Sequence, residues 1–414
     1  MTETTSTEAP VTIIVGAGQA GSELATSLRQ QGYTGRILLI GDEPHLPYRR
    51  PPLSKAFLAG EVGLETLFIK PAATYEKLGI ECLTGVHVEA IDRMARKLRL
   101  SDGRTLHYDW LALTTGGRPR KLAIAGADKP NVHYVRTIDD ILRMREQFQP
   151  GKRLAIIGGG YIGLEAASIG IKKGLKVTVI EALPRVLARV TTPEVSAFYE
   201  RIHRERGVEL LTGIGVQALD GDEQVDAVVL ADGTRVPADI VVVGVGLVPN
   251  TELAEAAGLE VSNGIVVDAL ARTGDPHILA AGDCTQHEHG FLGRRLRLES
   301  VPHAMEQART AAGTICGRTD PYRAVPWFWS DQYDLKLQMV GLSEGFDRFV
   351  VRGDMNTNAF MTFYLKDGVV LAADAVNRPQ EFGVAKRLVG ERVPVDPVAL
   401  ADESVPLKTL LPAA

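Results

Sequence analysis

Two glycine-rich motifs are the residues of this sequence whose types and spacing point most directly to chemistry. Each follows an apolar run typical of a buried strand and precedes a helical pattern, so small residues would let the backbone approach a pyrophosphate at a helix N-terminus. One such motif is also typical of an ordinary glycine-rich turn, but two copies in the same context predict a protein that holds two dinucleotides. The copies are Gly16-Ala17-Gly18-Gln19-Ala20-Gly21 and Gly158-Gly159-Gly160-Tyr161-Ile162-Gly163.

An acidic residue follows each motif at the distance where a ribose would bind. Asp42 comes after the second apolar run of the first copy, and Glu181 has the same place in the second. A carboxylate there can accept hydrogen bonds from both ribose hydroxyls, although Asp42 is also typical of a turn. Because a carboxylate repels a 2′-phosphate, Glu181 predicts NADH rather than NADPH as the second dinucleotide. Arg185 and Arg189, which follow closely, would weaken that preference.

The elements that must position these motifs are two βαβ units with parallel strands, as the apolar periodicity indicates. The units are predicted as strand 11–15, helix 22–30 and strand 36–40, and as strand 154–157, helix 161–173 and strand 176–180. The other predicted elements are strands 110–114, 239–245 and 278–283, an antiparallel excursion around 83–91 and 97–100, and a helix over 301–313 with Met305 and Ala308 as core candidates.

Past Pro326 the pattern changes to short alternating strands, with a turn at 366–368 and a helix near 382–389. This region is predicted to be a separate α+β domain. The fold class is therefore α/β, with two Rossmann-like dinucleotide-binding domains and a C-terminal α+β domain.

Composition excludes several other classes of protein. The chain has 414 residues and a formal net charge of −5, which argues against nucleic acid as a partner. The longest apolar stretch, 240–248, is too short to span a bilayer, and the polar, acidic segment 1–8 is unlike a signal peptide and is expected to be a frayed tail. Three cysteines without a CxxC pair fit a reducing cytoplasm.

Taken together, the motifs resemble the FAD-dependent ferredoxin reductases of bacterial oxygenase systems over nearly the whole chain. The segments that carry the resemblance are 50–55 (RPPLSK), 115–120 (TGGRPR), 134–137 (YVRT), 158–165 (GGGYIGLE), 281–284 (AGDC) and 326–332 (PWFWSDQ). The resemblance implies a glutathione-reductase-like arrangement: a discontinuous FAD-binding domain (1–116 and 247–325), an NADH-binding domain (117–246) and a C-terminal domain over the flavin (326–414).

The resemblance also implies the site residues and the reaction. A hydride would pass from NADH to flavin N5, and single electrons would then pass to a 2Fe-2S ferredoxin that supplies a haem-thiolate monooxygenase or similar oxygenase. The implied FAD residues are Gly16, Gly18, Ala20, Gly21, Asp42, Arg50, Lys55, Val88, Arg136, Asp283, Val301 and Trp329. The NAD residues are Gly158, Gly160, Gly163, Glu181 and Arg189.

Lys55, paired with Glu165, is the residue expected near N5, where a cation would favour the anionic reduced flavin. The residues alone fit equally well a solvated lysine and a carboxylate favoured by the helix dipole. Trp329 would cap the flavin or stand before the acceptor, and Trp327 is expected on the opposite face of its strand. Candidate ferredoxin-docking residues are Trp329, Arg309, Lys408 and the cluster Arg294-Arg295-Leu296-Arg297. Each basic candidate is also typical of a solvated surface, and Trp329 is also typical of a core side chain.

Other functions fit part of the pattern. A flavin disulfide reductase or peroxide-reducing oxidase needs a redox-active thiol, and no cysteine precedes Cys82 or lies near another. Direct oxygen reduction stays open as a side reaction, and a nucleotide-sensing scaffold would hold FAD only for structure. No metal site is assigned. His287 and His289 are expected to be exposed in a polar loop, whereas His303 and Cys284 are expected to be buried.

Overall fold

The structure of the protein is a computed structural model that describes residues 9–290 and 292–412. The segment 1–8, expected to be a frayed tail, lies outside the described residues. The chain forms two compact units: unit 1 comprises 1–49, 67–118 and 248–326, and unit 2 comprises 50–66, 119–247 and 327–414. Among the described residues, every helix is too short or too polar to cross a membrane.

The helices of the described residues are α1 (Gln19–Gln30), α2 (Ala72–Lys77), α3 (Ile138–Gln147), α4 (Tyr161–Lys172), α5 (Pro193–Glu205), α6 (Glu252–Ala256), α7 (Val301–Ile315), α8 (Pro379–Gly390) and α9 (Pro397–Ala401). The strands of the first half are β1 (Val11–Val15), β2 (Arg36–Gly41), β3 (Ile80–Thr84), β4 (Val88–Asp92), β5 (Lys97–Leu100), β6 (Thr105–His107), β7 (Trp110–Leu113), β8 (Gly117–Pro119), β9 (Val132–Tyr134), β10 (Arg153–Ile157), β11 (Lys176–Glu181) and β12 (Glu209–Thr212). The remaining strands are β13 (Val216–Asp220), β14 (Ala227–Leu230), β15 (Arg235–Pro237), β16 (Ile240–Val243), β17 (Leu247–Pro249), β18 (Ile265–Val267), β19 (Ile278–Ala280), β20 (Thr285–His289), β21 (Arg294–Leu296), β22 (Trp327–Gln332), β23 (Leu335–Gly341), β24 (Arg348–Asp354), β25 (Ala359–Lys366) and β26 (Val369–Val376).

Unit 1 is built on a parallel five-stranded sheet in the order β19-β7-β1-β2-β3. Its strands are almost wholly apolar because both faces are covered, which is typical of parallel sheets. One face packs against α1 and α7, and the other supports the small antiparallel sheet β4-β5-β6. Ala308 on α7 is buried as predicted, whereas Met305 is only half-buried and is not a core residue.

Unit 2 repeats this topology. Its parallel sheet has the order β12-β11-β10-β16-β9, so β10, β11, β12 and β16 correspond to β1, β2, β3 and β7. A small antiparallel sheet, β13-β14-β15, again lies between the third and fourth corresponding strands in the chain. Unit 2 also contains the C-terminal antiparallel sheet β22-β23-β26-β25-β24 with α8. The predicted fold class, α/β with two dinucleotide-binding folds and a C-terminal α+β region, is confirmed.

Element boundaries differ from prediction in two places. Helix α1 begins at Gln19 rather than at 22, because the glycine loop feeds directly into the first helical turn. The stretch 83–91 is not one strand: Leu83 belongs to the parallel strand β3, and the antiparallel sheet starts at Val88. Lys55 directly follows a short 3-10 turn, Pro51–Ser54, which the two prolines favour.

Candidate active site

The first glycine motif has two glycines that close contacts require and a middle glycine that leaves space. Gly16 has φ +114°, and a Cβ there would lie 2.2 Å from the carbonyl oxygen of Thr114, at the end of β7. A Cβ at Gly21 would lie 2.1 Å from the oxygen of Gly16. At Gly18, by contrast, no atom of the described residues lies within 4 Å of a Cβ. The motif therefore packs tightly on its own fold while its middle glycine faces open space.

The second motif has the same geometry. Gly158 has φ +109°, and its Cβ would lie 2.4 Å from the oxygen of Gly244, at the end of β16. A Cβ at Gly163 would lie 2.1 Å from the oxygen of Gly158, whereas a Cβ at Gly160 would meet no described atom within 4 Å. The two loops thus share one backbone geometry although the residues between their glycines differ. In each loop, the space beside the middle glycine is open.

The helix that follows each motif has a free N-terminus. Within the described residues, no side chain caps α1 or α4, and neither has an acidic residue in its first turn. Neither a capping side chain nor an acidic residue of the first turn therefore offsets the positive end of these helix dipoles. Such an end binds phosphate oxygens. The two motifs fit the pyrophosphates of two dinucleotides.

Unit 1 brings several of the predicted FAD residues to the first motif. Asp42 is exposed directly after β2, whose last residue, Gly41, has no room for a Cβ because Ala17 would lie 2.6 Å away. The backbone of the chain that leads to Val88 flanks Asp42, since Val86 donates to the oxygen of Gly41 at 2.9 Å. Asp42 therefore lies beside the glycine loop, as a ribose-binding carboxylate must.

Two further predicted residues of unit 1 lie in a second segment near the same loop. A Cβ at Gly282, next to Asp283, would lie 3.1 Å from the Cβ of Ala20, so the 281–284 motif approaches the start of α1. Val301 is the first residue of α7, whose N-cap Ser300 accepts a hydrogen bond from the backbone N–H of His303 at 3.2 Å. The fold thus brings the segment of Asp283 close to Ala20 of the first motif and places Val301 at a helix N-terminus.

In unit 2, four of the five predicted NAD residues line one cavity of about 300 Å³: Gly158, Gly160, Glu181 and Arg189. The Glu181 carboxylate accepts hydrogen bonds from the backbone N–H groups of Gly159 at 2.7 Å and Leu183 at 2.8 Å, which fixes it at the mouth of the glycine loop. Arg185 is not in this lining, because its guanidinium donates to Ser196 and to the carbonyl of Ala188. Of the two arginines considered for a 2′-phosphate, only Arg189 lines the cavity.

The predicted ion pair between Lys55 and Glu165 is present. The Lys55 ammonium lies 2.7 Å from Oε2 of Glu165, and the carboxylate side chain is only 3% exposed. Lys55 is held at the end of the 3-10 turn and Glu165 in the second turn of α4, and these two elements pack together. A buried carboxylate needs such partners, because an unpaired charge in the interior is costly.

Two serines that sequence reasoning did not identify complete the carboxylate's surroundings. Ser54 Oγ donates to Oε2 of Glu165 at 2.6 Å, and Ser330 Oγ donates to Oε1 at 2.6 Å. Both hydroxyls are buried, and both belong to the motifs 50–55 and 326–332. No local signal identifies them, because each lies more than 100 residues from Glu165 along the chain and a hydroxyl serves many roles. Glu165 therefore accepts three hydrogen bonds, which fix the ammonium that it pairs with.

The other predicted FAD residues of unit 2 are half-buried. Arg50 donates from its guanidinium to the carbonyl of Arg136 at 2.5 Å, which joins the 50–55 and 134–137 motifs. The Trp329 ring centroid lies 5.6 Å from that of Trp327, so the two indoles share a face. The expectation that Trp327 points to the opposite face was wrong, because residues i and i+2 of a strand lie on one side.

The candidate docking residues differ in how far they are engaged. Arg309 is exposed but pairs with Glu23 at 2.7 Å and with Glu306 at 2.8 Å. Within the cluster 294–297, Arg297 pairs with Glu299 and is only 12% exposed, so it is not a surface cation. Lys408 is exposed, and Trp329 is half-buried. Docking stays a prediction for these residues.

The histidines of β20 are not exposed, contrary to expectation. His287 and His289 are 2% and 0% exposed, because they alternate with exposed Glu288 on the inner face of a strand rather than lying in a loop. Burial lowers the pKa of His287 to about 4, so the ring is neutral. His303 is buried and its Nδ1 lies 2.9 Å from the hydroxyl of Tyr322, and Cys284 is fully buried, both as predicted. Across the described residues, no three His, Cys, Asp or Glu side chains are arranged to hold a metal.

Comparison with known protein families gives two matches along the chain. Residues 11–308 match the family described as pyridine nucleotide-disulphide oxidoreductase, and residues 327–411 match the family described as reductase C-terminal. Among curated proteins, the chain is 49% identical over 408 residues to putidaredoxin reductase CamA of Pseudomonas putida, with 97% of each chain covered.

Two solved structures share the fold at high identity. The reductase in the covalent complex of putidaredoxin reductase with putidaredoxin superimposes with a TM-score of 0.95 at 48% identity, covering 97% of this chain and 98% of that one. The ferredoxin reductase for the CYP199A2 system from Rhodopseudomonas palustris gives a TM-score of 0.94 at 42% identity, covering 96% of this chain and 99% of that one.

Proposed function

The chain belongs to the pyridine nucleotide-disulphide oxidoreductase family and, within it, to the ferredoxin reductases, and from this membership we propose its reaction and site. The protein is an FAD-containing oxidoreductase that takes reducing equivalents from NADH and passes single electrons to a 2Fe-2S ferredoxin of an oxygenase system. Bound FAD supplies the chemistry that accepts a pair of electrons and releases them one at a time. The protein supplies binding, orientation and electrostatics.

The observation that carries this function is the duplication of the dinucleotide fold. Each parallel sheet ends in a glycine loop whose middle residue, Gly18 or Gly160, faces open space at an uncapped helix N-terminus. A protein with one such loop binds a nucleotide, whereas a protein with two can bring an electron donor and a prosthetic group together.

The assignment of the two loops follows from their surroundings. We assign FAD to unit 1 through Gly16, Gly18, Gly21 and Asp42, supported by the approach of Ala20 to the 281–284 motif and of the Val88 segment to Asp42. Arg50, Lys55, Arg136, Asp283, Val301 and Trp329 complete the proposed FAD set. The proposed domains are 1–116 with 247–325, then 117–246, then 326–414. The family match that begins at residue 327 supports the last of these.

NADH is assigned to the cavity of unit 2. Glu181 is fixed by two backbone N–H groups and leaves lone pairs for the hydroxyls of a ribose. This carboxylate would repel a 2′-phosphate, which supports NADH as the donor. Arg189 lines the same cavity and is the group that would let NADPH bind weakly.

Lys55 and Glu165 are proposed as the charge pair that acts on the flavin. The ammonium supplies a fixed positive charge, and the buried carboxylate with Ser54 and Ser330 keeps that charge in one place. A preorganised cation stabilises negative charge that develops during reaction without reorganisation at that moment.

The ferredoxin is proposed to dock near Trp329, with Arg309 and Lys408 as basic contacts. We infer a cytoplasmic location, since NADH is supplied there and the three thiols, Cys82, Cys284 and Cys316, are unpaired.

The experiment that tests the function is anaerobic reduction of a purified 2Fe-2S ferredoxin by NADH in the presence of this protein. The reduction is monitored through the loss of the cluster's visible absorbance. NADPH serves as the matched donor. We expect rapid reduction with NADH, slower reduction with NADPH, and a rate that falls as salt screens docking charges. A protein that oxidises NADH but leaves every ferredoxin oxidised would contradict the proposal.

A further inference from the structure

The loop that connects β11 with α5, residues 182–192, carries Arg189 and forms one wall of the proposed NADH cavity. The middle of the loop is tied to the glycine motif, because the backbone N–H of Leu187 donates to the carbonyl of Gly159 at 2.9 Å. Leu187 takes a left-handed conformation, with φ +54°, and its side chain is buried. A non-glycine residue in that conformation is held by its surroundings. The loop is thus shaped by specific contacts.

The far end of the same loop is tied to the C-terminal sheet. Thr191 Oγ1 donates to Oδ2 of Asp374 at 3.2 Å, and the hydroxyl of Tyr364 donates to the same oxygen at 2.5 Å. Asp374 lies in the middle of the apolar strand β26 and is 5% exposed, while Thr191 is also buried. The backbone N–H of Thr191 donates to the carbonyl of Leu187 at 3.2 Å, which links the far end of the loop to its middle.

A carboxylate in this position is unfavourable for the sheet itself. Burial raises the pKa of Asp374 to about 6, and the hydrogen bonds from Tyr364 and Thr191 only partly oppose that rise. Two further tyrosines face the group. Burial first, and the charge of Asp374 second, raise the pKa of Tyr161 and Tyr199. Tyr161 directly follows Gly160 of the second glycine motif.

We propose that Asp374 is a positioning residue for NADH, which through Thr191 fixes the loop 182–192 and so holds Arg189 against the dinucleotide cavity. The inference rests on the proposed function of that cavity. Asp374 does not line the cavity itself. Its effect would be transmitted through the loop, so losing it should weaken dinucleotide binding and leave the chemistry of the bound complex intact.

The geometry provides a conservative variant. Both hydroxyls donate to one oxygen, so the amide oxygen of Asp374→Asn can accept both hydrogen bonds. Asp374→Ala removes both, and Thr191→Val removes only the bond that reaches the loop. The matched control is Glu381→Ala, which breaks the ion pairs of Glu381 with Arg352 at 2.8 Å and with Arg378 at 3.1 Å, all in the C-terminal region and outside the loop.

The test measures the Kd of the holoenzyme for NAD⁺ by calorimetry, alongside KM and kcat for NADH with ferricyanide as acceptor. We expect Kd and KM to rise about fivefold in Asp374→Ala and Thr191→Val, the factor that corresponds to one ordinary hydrogen bond. Asp374→Asn and Glu381→Ala should stay within about twofold of wild type, and kcat should be unchanged throughout. Trypsin should cleave after Arg189 faster in Asp374→Ala and Thr191→Val, because a released loop is the better substrate.

Each outcome decides the proposal. Unchanged Kd and unchanged cleavage in both Asp374→Ala and Thr191→Val would overturn it, as would an equal rise in Glu381→Ala, which would indicate general destabilisation. If Asp374→Asn behaved like the alanine variant, the hydrogen bonds would not be the cause, and the proposal would also fail. Thr191→Val decides the question if Asp374→Ala does not fold. A wild-type protein that binds no NAD⁺ would instead refute the proposed function.

Discussion

Replacing Lys55 separates the stabilising role of the Lys55–Glu165 pair from its proposed role in electron transfer. Lys55→Met removes the ammonium that lies 2.7 Å from a carboxylate of 3% exposure. Breaking a buried pair from one side costs about 3–5 kcal/mol. Ser54 and Ser330 still donate to Glu165 in the variant, so we expect the lower end, about 3 kcal/mol of the free energy of unfolding.

The double variant Lys55→Met/Glu165→Gln removes both charges and should recover most of that loss, to within about 1 kcal/mol of wild type. It should not recover function. The rate of flavin reduction by NADH in anaerobic stopped flow should fall about 100-fold in both the single and the double variant, since both lack the cation. Urea unfolding of the holoenzyme gives the stability.

A matched control is Lys172→Met, which breaks the exposed ion pair with Glu61 in the same unit. An exposed pair contributes less than about 1 kcal/mol, so this variant should keep both stability and rate. The reasoning fails if Lys55→Met reduces its flavin at the wild-type rate. It fails equally if the double variant recovers the rate along with the stability, because Lys55 would then be only structural.

Three further predictions address the nucleotide sites and the pH response. A Cβ at Gly18 or Gly160 would meet no described atom within 4 Å, so both Gly18→Ala and Gly160→Ala should fold. Gly18→Ala should lose FAD on gel filtration, whereas Gly160→Ala should keep FAD and bind NAD⁺ at least tenfold more weakly by calorimetry. The same defect in both variants would refute the assignment of the loops. Glu181→Ser should raise the ratio of kcat/KM for NADPH to that for NADH by about tenfold, because the repulsion of a 2′-phosphate is lost while Arg189 remains. An unchanged ratio in steady-state assays would show that Glu181 does not select the donor. Asp374 has a pKa of about 6 in the folded protein, raised chiefly by burial, against 3.8 ordinarily. Its ionisation therefore destabilises the fold as pH rises from about 4 to above 6. Between pH 4 and pH 8, the unfolding free energy of Asp374→Asn should increase relative to that of wild type by up to about 3 kcal/mol. If urea titrations gave the same difference in unfolding free energy between variant and wild type at both pH values, the prediction would be contradicted.

The sequence predicts the two dinucleotide folds well because their signals are local. A buried strand, a glycine loop and a helix are consecutive in the chain, and the fold demands glycine at Gly16 and Gly158 for steric reasons that the motif records. The alternation of the C-terminal strands and the turn at Asp367 and Gly368, both with positive φ, are equally local.

Two kinds of feature could not be predicted from the sequence. One kind depends on contacts between residues distant in the chain, and the other depends on a polar segment that forms a strand. Glu165 and Lys55 are 110 residues apart, so their pairing came only from family resemblance. Ser330 could not be recognised as its partner, since a hydroxyl serves many roles. The polarity of segment 285–289 predicts an exposed loop, whereas its alternation fits a strand that buries His287 and His289 on one face. Asp374 is the one acidic residue in the apolar strand β26, which marks it as unusual. The sequence does not indicate which residues form hydrogen bonds with it.

The central claim is that one loop holds FAD and the other admits NADH as its electron donor. The most direct measurement is an anaerobic titration of the purified protein with NADH, monitored through the visible flavin band. The account predicts a yellow protein whose band bleaches with one NADH per flavin, and whose colour returns when oxidised 2Fe-2S ferredoxin is added. A colourless protein that takes up no FAD, or a flavin band that NADH leaves unchanged, would contradict it.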